Sequence, residues 1–163
     1  MTLRTSLGPV LFVSTHLDCF EERDRVRQFH ELARHIGDRQ AIVMGDFNAL
    51  RPADYTAKRL SDIDLERENA DVEPVSDALM RAIDRAGWVD LMRLYIAGGL
   101  REYAATLDRP IPAKYAVTNH HGTRIDYAFA TPALATALRV TGCSIGRSAA
   151  SDHRPVVIDL ALP

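Results

Sequence analysis

Four short segments set polar side chains directly beside apolar runs: Thr15-His16-Leu17-Asp18, Gly45-Asp46-Phe47-Asn48, Arg124-Ile125-Asp126-Tyr127 and Ser151-Asp152-His153-Arg154-Pro155-Val156. Asp46, Asn48 and Asp152 carry the oxygen donors that hard divalent cations such as Mg²⁺ prefer. His153 offers a nitrogen that is neutral near physiological pH and can take a proton from water. A carboxylate on its other ring nitrogen would fix the tautomer and stabilise the imidazolium, and Asp126 is the candidate. Each segment alone has a plainer reading. A histidine after a strand is commonly a hydrogen-bonded structural residue. Asp-x-Asn after glycine is commonly turn chemistry, because both side chains satisfy nearby backbone groups. An aspartate in a strand often bonds a loop amide, and an Asp-His pair can cap a turn.

The elements that must position these residues follow from the apolar pattern. Thr2–Leu7 reads as extended, Gly8-Pro9 as a turn, and Val10–Thr15 as a buried strand, so the chain opens on a hairpin. From Glu21 to Ile36, Val26, Phe29, Leu32, Ala33 and Ile36 recur at helical spacing, with acidic residues at the start and Gly37 at the end. Ala41–Met44 is a short buried strand ending in the Gly-Asp-Phe-Asn segment. Pro52 can start a helix running toward Leu60. Residues 61–75 are polar without a clear period and read as a surface loop. Ser76 caps a helix from Asp77 to Ala86. Residues 98–123 read mostly as loop. Ile125, Tyr127 and Phe129 alternate with Asp126 and Ala128 as a half-buried strand. Arg139–Ile145 is a weaker strand, and Val156, Ile158, Leu160 and Leu162 mark a final one. The pattern predicts one compact α/β unit without repeats or linker.

Composition limits the function classes. The chain has 163 residues, 47% hydrophobic and 26% charged, as a folded globular protein does. Its formal net charge is -2, so no overall basic field advertises a polyanion. Cys19 and Cys143 stand far apart and form no metal-type pair. No stretch approaches the ~20 apolar residues of a membrane-spanning helix, and the N-terminus lacks a signal-peptide pattern. The default location is then cytoplasmic, unless the true start lies upstream. His30-Glu31-Leu32-Ala33-Arg34-His35 imitates a zinc-protease helix, but its histidines stand at i and i+5, roughly 140° apart around a helix, where that motif needs i and i+4. His120 and His121 either line a groove or are ordinary loop residues.

Taken together and in this order, the four segments resemble the signature of the endonuclease/exonuclease/phosphatase superfamily, the pancreatic deoxyribonuclease-like metal-dependent phosphoesterases. Gly-Asp-Phe-Asn and Ser-Asp-His-Arg-Pro are its most specific parts. The resemblance implies an α/β fold, a four-layered sandwich of two packed sheets flanked by helices. It implies hydrolysis of a phosphoester bond with Mg²⁺ or Mn²⁺. His153 would be the base paired with Asp126, and Asp152 a metal-site carboxylate. Asp46 and Asn48 would contact the metal, nucleophile or scissile phosphate, and His16 the phosphate or leaving group. Either Asp46 or His153 moves the key proton.

Family members begin with a strand carrying an Asn and a later strand ending in a metal-binding Glu. Neither is found here, and Glu21 and Glu22 follow the Thr-His-Leu segment, so they are not substitutes. The expectation is that residues 1–163 are the C-terminal part of a single domain, with N-terminal strands missing, apolar edges open and activity impaired. The alternative is a noncatalytic module that keeps the family outline. The partner is a phosphoester substrate, whether nucleic acid, lipid or small phosphate ester. The near-neutral charge argues against a sequence-blind duplex nuclease. Residues 124–127 lack the Trp-Cys-Asp run of inositol-polyphosphate phosphatases.

Overall fold

A computed structural model describes residues 1–148 and 150–161. β1 (Thr2–Thr5) and β2 (Gly8–His16) form the opening hairpin. The turn falls at Ser6-Leu7, ahead of the expected Gly8-Pro9, and Thr5 pairs with Gly8. The Thr5 hydroxyl explains the shift: it accepts from the Leu7 N–H at 3.1 Å and donates to the Gly8 carbonyl at 2.9 Å. Helix α1 (Glu22–Ile36) then crosses over to β3 (Ala41–Asp46), which pairs parallel with β2. Gly37 ends α1 at φ 58°, its N–H donating to the Ala33 carbonyl at 2.9 Å.

The expected loop over residues 61–75 is replaced through most of its length by a helix. Pro52–Asp54 forms a single 3₁₀ turn, and α2 runs from Ala57 to Asn69, capped by the Thr56 hydroxyl. Only Ile63 of α2 is buried, so this helix has no apolar stripe by which a sequence reading could find it. α3 spans Ala78–Arg85, close to expectation. The short strand β4 (Val89–Asp90) and α4 (Leu91–Ala97) follow; Asp90 caps α4 by accepting from the N–H groups of Met92 and Arg93. A short α5 (Leu100–Tyr103) enters a mostly irregular stretch. β5 (Asp126–Ala130), the short α6 (Pro132–Ala135), β6 (Arg139–Ile145) and β7 (Val156–Ala161) complete the described chain; Leu162, expected in the last strand, lies outside the described residues.

The main sheet is mixed and five-stranded, in the order β1-β2-β3-β5-β4, with β5 antiparallel to β3, while β6 and β7 form a separate antiparallel pair. Residues of β3 alternate between two cores. Val43 joins Phe29, Phe47, Leu79, Ile83, Trp88 and Phe129 beneath α1 and α3. Ile42 faces the opposite way, with Val10, Leu91, Leu94, Leu134 and the flanking Ile158 and Leu160. On this second side, a cleft of about 500 Å³ remains between the main sheet and the β7 strand, lined by Phe12, Ile42, Met44 and Ala128 and by Val156, Ile158 and Leu160.

Gly45 shows why the sequence has glycine before Asp46. Its φ is +141°, and a Cβ there would lie 1.9 Å from the Thr15 carbonyl oxygen of the neighbouring strand. The close parallel approach of β2 and β3 leaves no room for a side chain. Gly45→Ala should therefore destabilise the fold by about 2 kcal/mol or more, measured by urea denaturation, through combined strain and clash.

Candidate active site

The register of the sheet assembles the site. His16 pairs with Asp46 across β2 and β3, and Asp46 pairs with Asp126 across β3 and β5. Directly paired residues project from the same face of a sheet. Three residues from distant parts of the chain therefore stand side by side, on the face that carries Phe12, Met44 and Ala128. His153 comes from the other sheet, three residues before β7 begins. Its Nδ1 lies 3.1 and 3.0 Å from the two Asp126 carboxylate oxygens. Its Nε2 lies 3.8 Å from Asp46 Oδ2, and His16 Nε2 approaches the same oxygen at 3.6 Å. Asp46 Oδ2 is thus flanked by two imidazoles, one exposed and one partly covered.

The turn chemistry of Asp-x-Asn is present too. Asp46 Oδ1 accepts from the Asn48 N–H at 2.8 Å, and Asn48 Nδ2 donates to the Leu17 carbonyl at 2.9 Å. Asn48 takes a left-handed backbone conformation, φ 49°, which asparagine tolerates better than most residues. One Asp46 oxygen fixes the turn and the other faces the histidines, so the structural and chemical readings of this segment hold together. Asp152 lies elsewhere. Its exposed carboxylate is 3.7 Å from His120 Nδ1, and it is not among the Asp46, Asp126 and His153 donor atoms that lie within 4.8 Å of one another. His120 and His121 pack with ring centroids 3.7 Å apart. His121 also lines a groove of about 220 Å³ with Asn48, Ile63, Asn119 and Ile125. Glu22 is committed to structure: its carboxylate accepts from Arg25 and from the Leu79 N–H, joining α1 to α3.

The start of β5 is anchored by buried charges. Arg124 is fully buried; its Nη1 donates to Asp54 at 2.9 Å, its Nη2 to Asp90, and its guanidinium lies over the Tyr127 ring at 4.2 Å. Arg93, equally buried, donates through Nε to Asp54 at 3.0 Å. Burial alone would raise the Asp90 pKa, but Arg124 and Arg51 outweigh it and hold the carboxyl below its ordinary range. Nothing in periodicity marks these residues, which stand 39 and 70 positions from Asp54 along the chain.

The electrostatics of the site itself run the other way. Desolvation raises the Asp46 pKa, with Asp126 adding to it against the Asn48 N–H and the two histidines. For His153 partial burial pulls the pKa down, but the Asp126 hydrogen bond and the charges of Asp126, Asp46 and Asp152 prevail, and the net shift is upward.

A model of the Endonuclease/Exonuclease/phosphatase family matches residues 3–153, nearly the whole chain. This chain belongs to that family. Its members are hydrolytic phosphoesterases. Among solved structures, the fold is similar to the endonuclease domain of TRAS1, a telomere-specific non-LTR retrotransposon, with a TM-score of 0.60 and 16% identity, covering 99% of this chain and 62% of that one. The human Nocturnin catalytic domain with bound sulfate gives a TM-score of 0.48 at 17% identity, covering 92% of this chain and 46% of that one. An endonuclease/exonuclease/phosphatase family protein from Bacteroides thetaiotaomicron gives 0.45 at 19%, covering 93% and 49%. The chain spans less than two-thirds of the length of each of these. No curated protein matches it. Among the described residues, no helix is long and apolar enough to cross a membrane.

Because the His153 pKa is raised on folding, its pairing with Asp126 contributes stability that is fully present below the unfolded imidazole pKa and is lost as pH rises through the folded value. In a proton NMR titration, His153 should titrate above an ordinary histidine, and Asp126→Asn should move it down by a resolvable fraction of a pH unit.

Proposed function

We propose that this chain carries the phosphoester-hydrolysing site of its family, acting on a phosphodiester or phosphomonoester with a divalent cation. The observation that supports it most is the meeting of Asp46, Asp126 and His153 donor atoms within 4.8 Å of one another, at the edge of an open cleft. The Asp46 carboxylate suits a hard cation, with no thiolate beside it, while Asp126 and His153 are paired with each other. Asp46 would hold Mg²⁺ or Mn²⁺, with the Asn48 amide oxygen as a further oxygen donor and water completing the shell; Asp152, turned toward His120, would have to rotate to join it. Positive charge there would lower the raised Asp46 pKa and offset the desolvation of its carboxylate. When bound, the cation supplies charge stabilisation at the phosphate oxygens and polarises water.

The side chains divide the remaining work. Asp126 accepts from His153 Nδ1–H and so leaves Nε2 with its lone pair, facing Asp46. His153 takes the proton of the attacking water at Nε2, and Asp126 stabilises the imidazolium that results. His16, exposed on the opposite side of Asp46, hydrogen-bonds a phosphate oxygen or the departing oxygen. The upward shift of the His153 pKa moves the appearance of the base form to higher pH than for an ordinary histidine in the metal-free site.

Residues 1–163 read best as the C-terminal part of one four-layered sandwich domain. The cleft between the main sheet and β7 leaves the apolar Met44 38% exposed, beside Phe12, Ile42 and Ala128. Further strands would cover that face, and the site stands at its end, where such strands could bring another acidic ligand. Alone, the chain should hydrolyse little, because positioning and charge stabilisation supply most of the rate in phosphoryl transfer. A segment completing the domain, fused or added in trans, should produce Mg²⁺- or Mn²⁺-dependent hydrolysis of bis-p-nitrophenyl phosphate. His153→Ala and Asp46→Ala should then each lower it by about a hundredfold or more. A completed, folded protein inactive on diester, monoester, lipid and nucleic-acid substrates would favour the noncatalytic module instead.

A further inference from the structure

Asp126 and His153 belong to different sheets, so neither sheet's ladder sets their relation. Asp126 opens β5 of the main sheet, and His153 leads into β7 of the two-stranded one. The connection runs through residues 118–120. The Thr118 hydroxyl oxygen accepts from the Ile125 N–H at 3.0 Å and from the Asp126 N–H at 3.1 Å. The Thr118 carbonyl accepts from the Arg154 N–H at 2.7 Å. Asn119 makes an isolated antiparallel bridge with His153, and the His120 N–H donates to the Asp152 carbonyl at 2.8 Å. One short limb thus holds the backbone of both partners, the carboxylate's through a side chain and the imidazole's through the main chain.

The limb is itself closed. The Asn119 carboxamide oxygen accepts from the Thr123 N–H and hydroxyl, both at 3.1 Å, and the Thr118 N–H donates to the Thr123 carbonyl at 2.8 Å. Thr118 is fully buried and Asn119 is 5% exposed, so water does not compete for these bonds.

We propose that Thr118 is a positioning residue: its hydroxyl fixes Asp126 relative to His153 and thereby sets which imidazole nitrogen carries the proton. A hydroxyl is required because two N–H groups converge on one acceptor, which valine, of the same shape, cannot supply. The inference deepens the proposed hydrolytic reading and rests on its Asp126–His153 pair.

The test is long-range proton–nitrogen NMR on the full chain at one fixed alkaline pH, where His153 is neutral and its ring nitrogens report the tautomer. The wild-type protein and Thr118→Ser should both show the Nδ1–H form as the major tautomer. In Thr118→Val that form should lose its dominance to Nε2–H while the remaining spectrum stays folded. A Thr118→Val protein with a lowered Tm and an unchanged His153 tautomer would overturn the proposal and leave Thr118 a merely structural residue. Asp126→Asn separates the two levels. If it leaves the tautomer unchanged, the pairing itself fails, whatever Thr118 does. Should Thr118→Val not fold, amide exchange in the wild-type protein decides: the Ile125 and Asp126 N–H groups should exchange at least tenfold more slowly than the amide of exposed His121, and equal rates would overturn the proposal.

Discussion

In the parallel pairing of β2 with β3, His16 stands opposite Asp46; in the antiparallel pairing of β3 with β5, Asp46 stands opposite Asp126. Neighbouring strands lie about 4.8 Å apart, so this double register brings three polar side chains into one row. Side chains alternate between faces, and a slip of one residue in β3 would send Asp46 beneath α1, among Phe29 and Leu79, and bring an apolar neighbour to the row. The register is held by the same alternation. Val43 and Phe47 fill the core under α1 and α3 while Ile42 packs on the other side, so the burial that stabilises the sheet also aims the carboxylates.

A second constraint acts where β5 begins. Arg124 precedes the strand and is pinned between Asp54 and Asp90, out of reach of bulk solvent, with Arg93 completing the charge balance. Removing one partner from such a network generally costs about 3–5 kcal/mol, since the others remain buried and unpaired. The arrangement makes the first residues of β5 rigid on one side through Arg124 and on the other through Thr118. A site built across two sheets needs that stiffness, because a displacement of about 1 Å can cost about a hundredfold in rate.

Several of these features were legible in the sequence. His16, Asp46, Asp126 and His153 stand beside strong apolar runs, and each run became a strand or led into one. Helix α1 and the strands β5 and β7 followed from period, β2 and β3 from short apolar runs, and β6 was the weaker reading. α2 did not, because a helix that buries only Ile63 leaves no stripe. The hairpin turn was displaced by the Thr5 hydroxyl, which closed the loop ahead of the glycine that looked like the turn. The buried Asp54–Arg93–Arg124–Asp90 network was hidden because charged residues ordinarily mark surface, and only a three-dimensional fold reveals that they meet. Thr118 was invisible for a similar reason: one hydroxyl accepting two amides has no pattern along the chain. Asp152, prominent in the Ser-Asp-His-Arg-Pro segment, points toward His120 and away from the Asp46 row.

The row created by the sheet register is proposed to hold a divalent cation. Paramagnetic broadening by Mn²⁺ in a proton–nitrogen spectrum of the 163-residue chain tests it most directly. Substoichiometric Mn²⁺ should broaden the amides around Asp46, Asn48, Asp126 and His153 first, and Asp46→Ala should abolish that pattern. Broadening centred on the acidic surface of α2, or spread evenly over the exposed carboxylates and unchanged in Asp46→Ala, would contradict it.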